Sequence, residues 1–322
     1  MQDQLAAVFG GSGFLGRYVV RALAGAGWRV RAVSRRPYLA GHLQPMGDVG
    51  QIHPVQANVR HAYSVSEPVA GAKAVVNLVG ISTKSGAQTL TAVNVSGART
   101  VARAARKAGV ETLIHVSTIC AHLKSASDLG RSKAEGEAAV LEEFPDAIIF
   151  RPCLMFGVED RLFNRIAAFA RLSPVIPLIG GERTKVQLVY VGDIAAAIVA
   201  ASVGLAKPGT TYELGGSDII CYRKLVDQAL VWSGRRRWYV PVPYWVGKAA
   251  VAATAALPNR MRTLTVDQMS MFRRPSVVSD TATLEKRTLS SLGIERVHTI
   301  GSIVPQYLER FHPRGQFASY RG

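Results

Sequence analysis

The opening residues constrain this chain more than any later stretch. Leu5-Ala6-Ala7-Val8-Phe9 is a short apolar run, and Gly10-Gly11-Ser12-Gly13-Phe14-Leu15-Gly16 follows it with glycines at every third position. Apolar residues then recur at helical spacing through Val19, Val20 and Leu23. This reads as strand, tight turn, helix. A Cβ in such a turn would block the bend and the approach of backbone to a pyrophosphate, which rests on free N–H groups at the helix start. A glycine triplet alone is a weak signal, but after a strand and at the head of a βαβ pattern it marks a dinucleotide site. Gly10, Ser12, Gly13, Phe14, Leu15 and Gly16 are the residues expected to hold it.

The second strand, Arg29 to Val33, ends in Ser34-Arg35-Arg36-Pro37. A site for NAD places an acid here to accept from the ribose 2′-hydroxyl, whereas arginine holds a 2′-phosphate. No acid is nearby, so NADP(H) is the expected cofactor, with Ser34, Arg35 and Arg36 as its ligands. A third strand over 51–56 leads into Asn58 and Val59, placed to face the adenine. The continuous apolar run Ala74 to Val79 suits a parallel strand buried on both faces, and Leu78, Val79 and Gly80 at its end let the cofactor pass close. An amphipathic helix over 93–108 and a fifth strand over 112–117 complete the pattern. Strands alternating with helices imply a doubly wound parallel α/β sheet with its ligand at the carboxyl ends of the strands.

Several groups of residues together resemble the extended, atypical short-chain dehydrogenase/reductases. They are the glycine turn, Asn77-Leu78-Val79-Gly80, His115-Val116-Ser117, Lys133 to Glu137, Arg151-Pro152 and Phe156 to Asp160. Phe144 to Ile149, Gly157 to Arg161, Val189 to Ile194 and a basic segment rich in Trp and Pro are similar to the nucleotide-binding accessory subunits of respiratory complex I, NADH:ubiquinone oxidoreductase. The resemblance runs over essentially the whole chain. It implies a Rossmann-type sheet over 1–178 and a smaller C-terminal α/β lobe over 179–322, with 186–204 returning to the core sheet. It also implies membrane association, with the other subunits of the complex as partners. The corresponding place is the cytoplasmic side of a bacterial inner membrane, equivalent to the matrix side in mitochondria.

Reductases of this superfamily need a Tyr-x-x-x-Lys pair, in which lysine lowers the tyrosine pKa and grips the nicotinamide ribose while the phenol relays a proton. The lysine is Lys133; the tyrosine position holds Leu129. Leucine cannot transfer a proton, so the expected site binds its cofactor without reacting it and has no catalytic residue. Val116, Ser117, Lys133, Pro152 and Leu154 are expected around the nicotinamide, with Thr118 and Ile119 as other registers for the orienting hydroxyl position. The alternative is a working NADP-dependent reductase or sugar-nucleotide epimerase with a displaced acid, for which His122 is a loop residue of undetermined geometry.

The net charge of +17 is unevenly spread. Residues 1–150 carry 16 basic and 10 acidic side chains, and 151–322 carry 23 and 12. Within 222–274 ten basic residues face only Asp227 and Asp267, and Trp232, Trp238, Trp245, Tyr239 and Tyr244 are interleaved with them. Trp245 to Leu257 is too short to cross a bilayer, which needs about 20 residues. The segment 222–275 reads as contact with a membrane surface or anionic lipid, as a protein-docking surface, or as an ordinary solvated face. No nucleic-acid module is visible, so no nucleic-acid partner is expected. Cys120, Cys153 and Cys221 are far apart and odd in number, which suits reduced thiols, and no metal-ligand spacing occurs. With only Met1 to Gln4 ahead of the first strand, no signal or transit peptide is expected.

Overall fold

The structure is a computed structural model that describes residues 4–179, 183–253, 275–313 and 315. Its first half alternates as expected: β1 (Leu5–Phe9), α1 (Phe14–Gly25), β2 (Arg29–Ser34), β3 (Ile52–Gln56), α2 (Ala62–Val69), β4 (Ala74–Asn77), α3 (Ser96–Lys107), β5 (Thr112–Val116), α4 (Asp128–Glu143) and β6 (Ile148–Pro152). There follow β7 (Leu154–Phe156), α5 (Leu162–Leu172), β8 (Val175–Ile179), β9 (Lys185–Tyr190), α6 (Val191–Ser202), β10 (Thr211–Leu214), β11 (Ile219–Cys221) and α7 (Tyr222–Trp232). The last elements are β12 (Trp238–Val242), α8 (Tyr244–Ala253), α9 (Asp280–Leu284) and α10 (Ile300–Leu308).

The chain forms two compact units that are not consecutive in sequence. The first takes the described residues up to Pro152, Val191–Leu214 and Val278–Arg296; the second takes those of Cys153–Tyr190, Gly215–Val277 and from Val297 onward. The first is built on a seven-stranded sheet in the order β10-β6-β5-β4-β1-β2-β3. All six pairings in it are parallel. Strand order reverses between β1 and β4, which opens a crevice at their carboxyl ends. Buried Val65, Val69, Val101, Ala105 and Val140 from α2, α3 and α4 pack on Ala7, Val75, Leu113 and Ile149 of the strands. Helix α6, apolar on nearly every side, packs on α1.

Some elements differ from the sequence expectations. The seventh strand of the main sheet is β10, paired in register with β6, whereas β9 belongs to a small sheet of the second unit, β11-β9-β7. Of the stretch 186–204, it is therefore α6 that belongs with the main sheet. Asp193 lies inside the first turn of α6, which starts at Val191. Val175 to Ile179, with Pro177 in its middle, is a strand pairing with β12. The pairing with β12 is the only one β8 makes among the described residues, and proline is tolerated on such an edge.

The second unit packs α5, α7 and α10 around Phe156, Phe163, Leu188, Leu225 and Val304. Asp160, 4% exposed, ties it together. Its carboxylate accepts from Tyr307 Oη and from the Asn164 and Gly157 N–H groups. Burial raises the Asp160 pKa, and these donors oppose the rise. Tyr307→Phe removes one donor from a buried charge and is expected to destabilise this unit by about 2 kcal/mol. The loss pushes the carboxyl pKa higher still, so the penalty is present at neutral pH and disappears as acid protonates the carboxyl. Thermal denaturation at both pH values checks it.

Candidate functional site

The glycine turn joins β1 to α1. Gly10 adopts φ +83°, a left-handed conformation that favours glycine. Its N–H donates to Val33 O at 2.9 Å, which fastens the turn to β2, and Gly13 N donates to Gly10 O at 2.9 Å. Gly13 precedes the first turn of α1, where no side chain caps the helix and no acid is present. That helix end is open to an anion.

The loop after β4 lies against this turn: a Cβ on Gly10 would touch Leu78 C and Val79 N at 3.4 Å. Leu78 N donates to Phe9 O at 2.9 Å, and Val79 N donates to Asn77 Oδ1 at 3.1 Å. One residue on, Lys133 Nζ lies 2.6 Å from where a Cβ on Gly80 would stand, and it donates to Val116 O at 3.3 Å. Gly10, Leu78, Val79, Gly80, Val116 and Lys133 are thus brought together at the carboxyl ends of β1, β4 and β5. Pro152 joins them through β6, since Ile119 N donates to Pro152 O at 3.0 Å.

Beneath this loop is a polar layer that sequence reasoning did not assign to the site. Asn77 and His115 are register partners, and Asn77 Nδ2 lies 3.1 Å from His115 Nδ1. Because Asn77 Oδ1 already accepts from Val79 N, its amide donates to His115, which puts the imidazole proton on Nε2. Burial, with Lys133 nearby, lowers the His115 pKa to about 3 and keeps the ring neutral. Asn94, 1% exposed, holds both Ile81 N and Ile81 O and donates to Ser132 Oγ at 3.1 Å. The readable signal is the same for both asparagines, a lone amide within an otherwise apolar stretch. Glu137, 5% exposed, pairs with Arg151 Nη2 at 2.6 Å, and this hydrogen bond raises the Arg151 pKa.

Other expected ligands stand as follows. Ser34 ends β2, and Arg35 and Arg36 after it are exposed, with no acid against them among the described residues. Asn58 spends its side-chain oxygen on Arg60 N at 3.2 Å, and Val59 is a core residue, packed where a Cβ on Gly97 would lie 2.7 Å from it. Leu154 begins β7 in the second unit. His122 Nδ1 accepts from Lys124 N within its own loop, so its ring is turned onto backbone. Leu129 occupies the first turn of α4, one turn before Lys133, and Ser127 caps that helix.

Among the buried polar atoms without a hydrogen-bond partner are Ser34 Oγ, His115 Nε2 and Ser117 Oγ. These three lie at or near the carboxyl ends of β2 and β5. Unsatisfied buried groups are costly, and a ligand carrying phosphate, hydroxyl and amide groups would satisfy them. The residues fit a dinucleotide.

The sequence profile of the NAD dependent epimerase/dehydratase family matches residues 6–215. The chain belongs to this family. Membership supports binding of a nicotinamide dinucleotide. It is 36% identical over 290 residues to the Arabidopsis thaliana mitochondrial NADH dehydrogenase [ubiquinone] 1 alpha subcomplex subunit 9, covering 86% of this chain and 72% of that protein. It is 33% identical over 194 residues to the Caulobacter vibrioides ceramide reductase, covering 60% and 59%. The Citrobacter triphenylmethane reductase complexed with NADP(H) shares the fold, with a TM-score of 0.72 and 18% identity over 94% of this chain and 99% of that one.

Burial lowers the Lys133 pKa to about 8 from 10.5, opposed by Glu137. Below about pH 8 the buried ammonium costs stability, and the cost is relieved as the pH rises toward 10.5. Retention of a dinucleotide whose ribose hydroxyl the Lys133 ammonium holds is expected to run the other way, since the grip is lost as the proton leaves. Lys133→Met is expected to raise thermal stability, lower retention and flatten the decline of retention above about pH 8. Denaturation and cofactor titrations across pH test both signs.

Proposed function

We propose that this chain is a non-catalytic accessory subunit of respiratory complex I that holds NADP(H) as a structural ligand. Its partners are the other subunits of that complex, and its place is the cytoplasmic side of a bacterial inner membrane, held peripherally. What carries the reading is the likeness to a curated complex I subunit along most of the chain, joined to a site that keeps Lys133 but has leucine at position 129. No helix among the described residues is long and apolar enough to cross a membrane, which suits peripheral attachment.

The choice of NADP(H) is supported by the unpartnered Ser34 hydroxyl beside exposed Arg35 and Arg36. When bound, the nicotinamide supplies hydride chemistry. The chain's own residues bind and orient it: the open end of α1 faces the pyrophosphate, Arg35 and Arg36 the 2′-phosphate, and Lys133 the ribose. No group on α4 delivers a proton to a carbonyl, because Leu129 occupies the place of the acid.

A second reading, an NADPH-dependent reductase, is supported by the relative named ceramide reductase and by the unpartnered Ser117 hydroxyl. Absorbance decides between them. Wild-type protein is expected to leave NADPH unoxidised in the presence of ketones and quinones. Leu129→Tyr restores the acid four residues before Lys133 and is expected to raise any residual rate about a hundredfold. Steady turnover by the wild type would overturn the non-catalytic reading.

A further inference from the structure

Helix α8 reads Tyr-Trp-Val-Gly-Lys-Ala-Ala-Val-Ala-Ala, and Gly247 is its only buried residue. An apolar helix in water ordinarily buries its apolar side. This one leaves Trp245 74% exposed. The strand before it does likewise, since Trp238 is 80% and Val240 45% exposed on one face of β12. Its other face is anchored: Tyr239 Oη donates to Asp227 Oδ1, and the Arg223 guanidinium lies 5.0 Å over the Tyr239 ring. Trp238 and Val240 are therefore presented by an anchored strand.

Cations flank these residues along the chain. Arg235, Arg236 and Arg237 immediately precede β12, Lys248 is exposed on α8, and residues 233–253 contain no acid. Backbone fixes two of the arginines, as Arg237 Nε donates to Ala170 O at 2.8 Å and Arg235 Nη2 to Phe311 O at 3.2 Å. Arg171, at the end of α5, belongs to the same group: it and Arg237 act with burial to lower the Arg235 pKa. Arg235 Nε is buried without a partner. No described acid pairs with Arg171, Arg235, Arg236 or Arg237, so among the described residues the positive charge of the group is uncompensated. The remainder of the basic stretch, 254–274, lies outside the described residues.

Deepening the peripheral placement proposed above, we infer that α8 and the outward face of β12 rest on an anionic phospholipid surface, with Trp238 and Trp245 at headgroup depth and Arg171, Arg235, Arg236, Arg237 and Lys248 on the phosphates. The apolar run Trp245 to Leu257 is shorter in sequence than the about 20 residues that cross a bilayer, so it suits a place in the interface and not a span. The combination decides the occupant. Bare apolar surface would suit a protein groove, but exposed aromatics flanked along the chain by cations that no described acid pairs match a bilayer boundary, where each cation adds to binding.

Vesicle flotation tests this with the full-length, cofactor-loaded protein at low salt. Vesicles of phosphatidylcholine and phosphatidylglycerol, mixed two to one, are compared with phosphatidylcholine alone. Of the four tryptophans, Trp28 is buried and Trp232 half-buried, so Trp238 and Trp245 report the environment. Binding to the anionic vesicles with a blue shift in tryptophan emission is expected. The exposed, side-chain-free set Arg171→Gln, Arg236→Gln and Lys248→Gln should weaken it about a hundredfold. Trp238→Ala with Trp245→Ala should abolish the shift, and retained dinucleotide shows that both variants are folded. Absence of binding, or equal binding to neutral vesicles, overturns the inference. So does a protein-covered surface, seen as no vesicle binding with Trp245 shielded from a soluble quencher in the detergent-purified complex. Comigration with complex I is scored separately, so failure here is distinguishable from failure of the accessory-subunit reading.

Discussion

Gly16→Ala is expected to empty the nucleotide site. Alanine is ordinarily the better helix residue by about 1 kcal/mol, and Gly16 lies inside α1, so propensity alone favours the change. Contact decides otherwise. A Cβ at Gly16 would stand 2.2 Å from Gly10 O and 2.6 Å from Gly11 O, and both are backbone atoms of the turn itself. To relieve the overlap, the helix start must move away from the turn, and both are the parts proposed to hold the pyrophosphate. Overpacking of this kind costs about 1–3 kcal/mol, and carried into binding it is a loss of up to about a hundredfold in affinity. Gly25→Ala is the control at the other end of the same helix, because a Cβ there meets nothing within 4 Å. It should keep its dinucleotide and gain slightly in thermal stability. Cofactor content after desalting and titration of the emptied protein measure both.

Arg35→Ala with Arg36→Ala is expected to change which dinucleotide binds. Hydrogen bonds to a charged phosphate are each worth about 1.5–3 kcal/mol, so losing two should weaken NADPH by about a hundredfold or more. NADH lacks the 2′-phosphate and should bind within a few fold of wild type. Competitive titration separates the outcomes. An equal loss for both dinucleotides would mean that the arginines shape the turn and do not select the cofactor.

The parts of the fold that were legible follow from local periodicity. The glycine turn, the apolar run 74–79 and the amphipathic helix over 93–108 each carry their signal within a few residues, and Leu129 before Lys133 is visible wherever the chain folds. Long-range pairing was not legible. Strand β9 alternates as a half-buried strand does, but alternation gives a strand its faces and not its neighbours, and it joins β7 and β11. Strand β10, four residues with a glutamate, looks unlike a member of a buried parallel sheet. Glu213 is tolerated there because it opposes Arg151 in register and accepts from Ser279 N at 2.7 Å. The same limit hid the pairing of His115 with Asn77, two polar residues 38 apart that only the register of β4 and β5 brings together.

The central claim is that the chain holds NADP(H) as part of respiratory complex I. Gentle solubilisation of native membranes, separation of complexes by size and release of bound nucleotide by denaturation test it most directly. The protein is expected to run with NADH:quinone oxidoreductase activity and to release one NADP(H) per chain. A chain that stays free of that activity, or that turns NADPH over in the soluble fraction, would contradict the account.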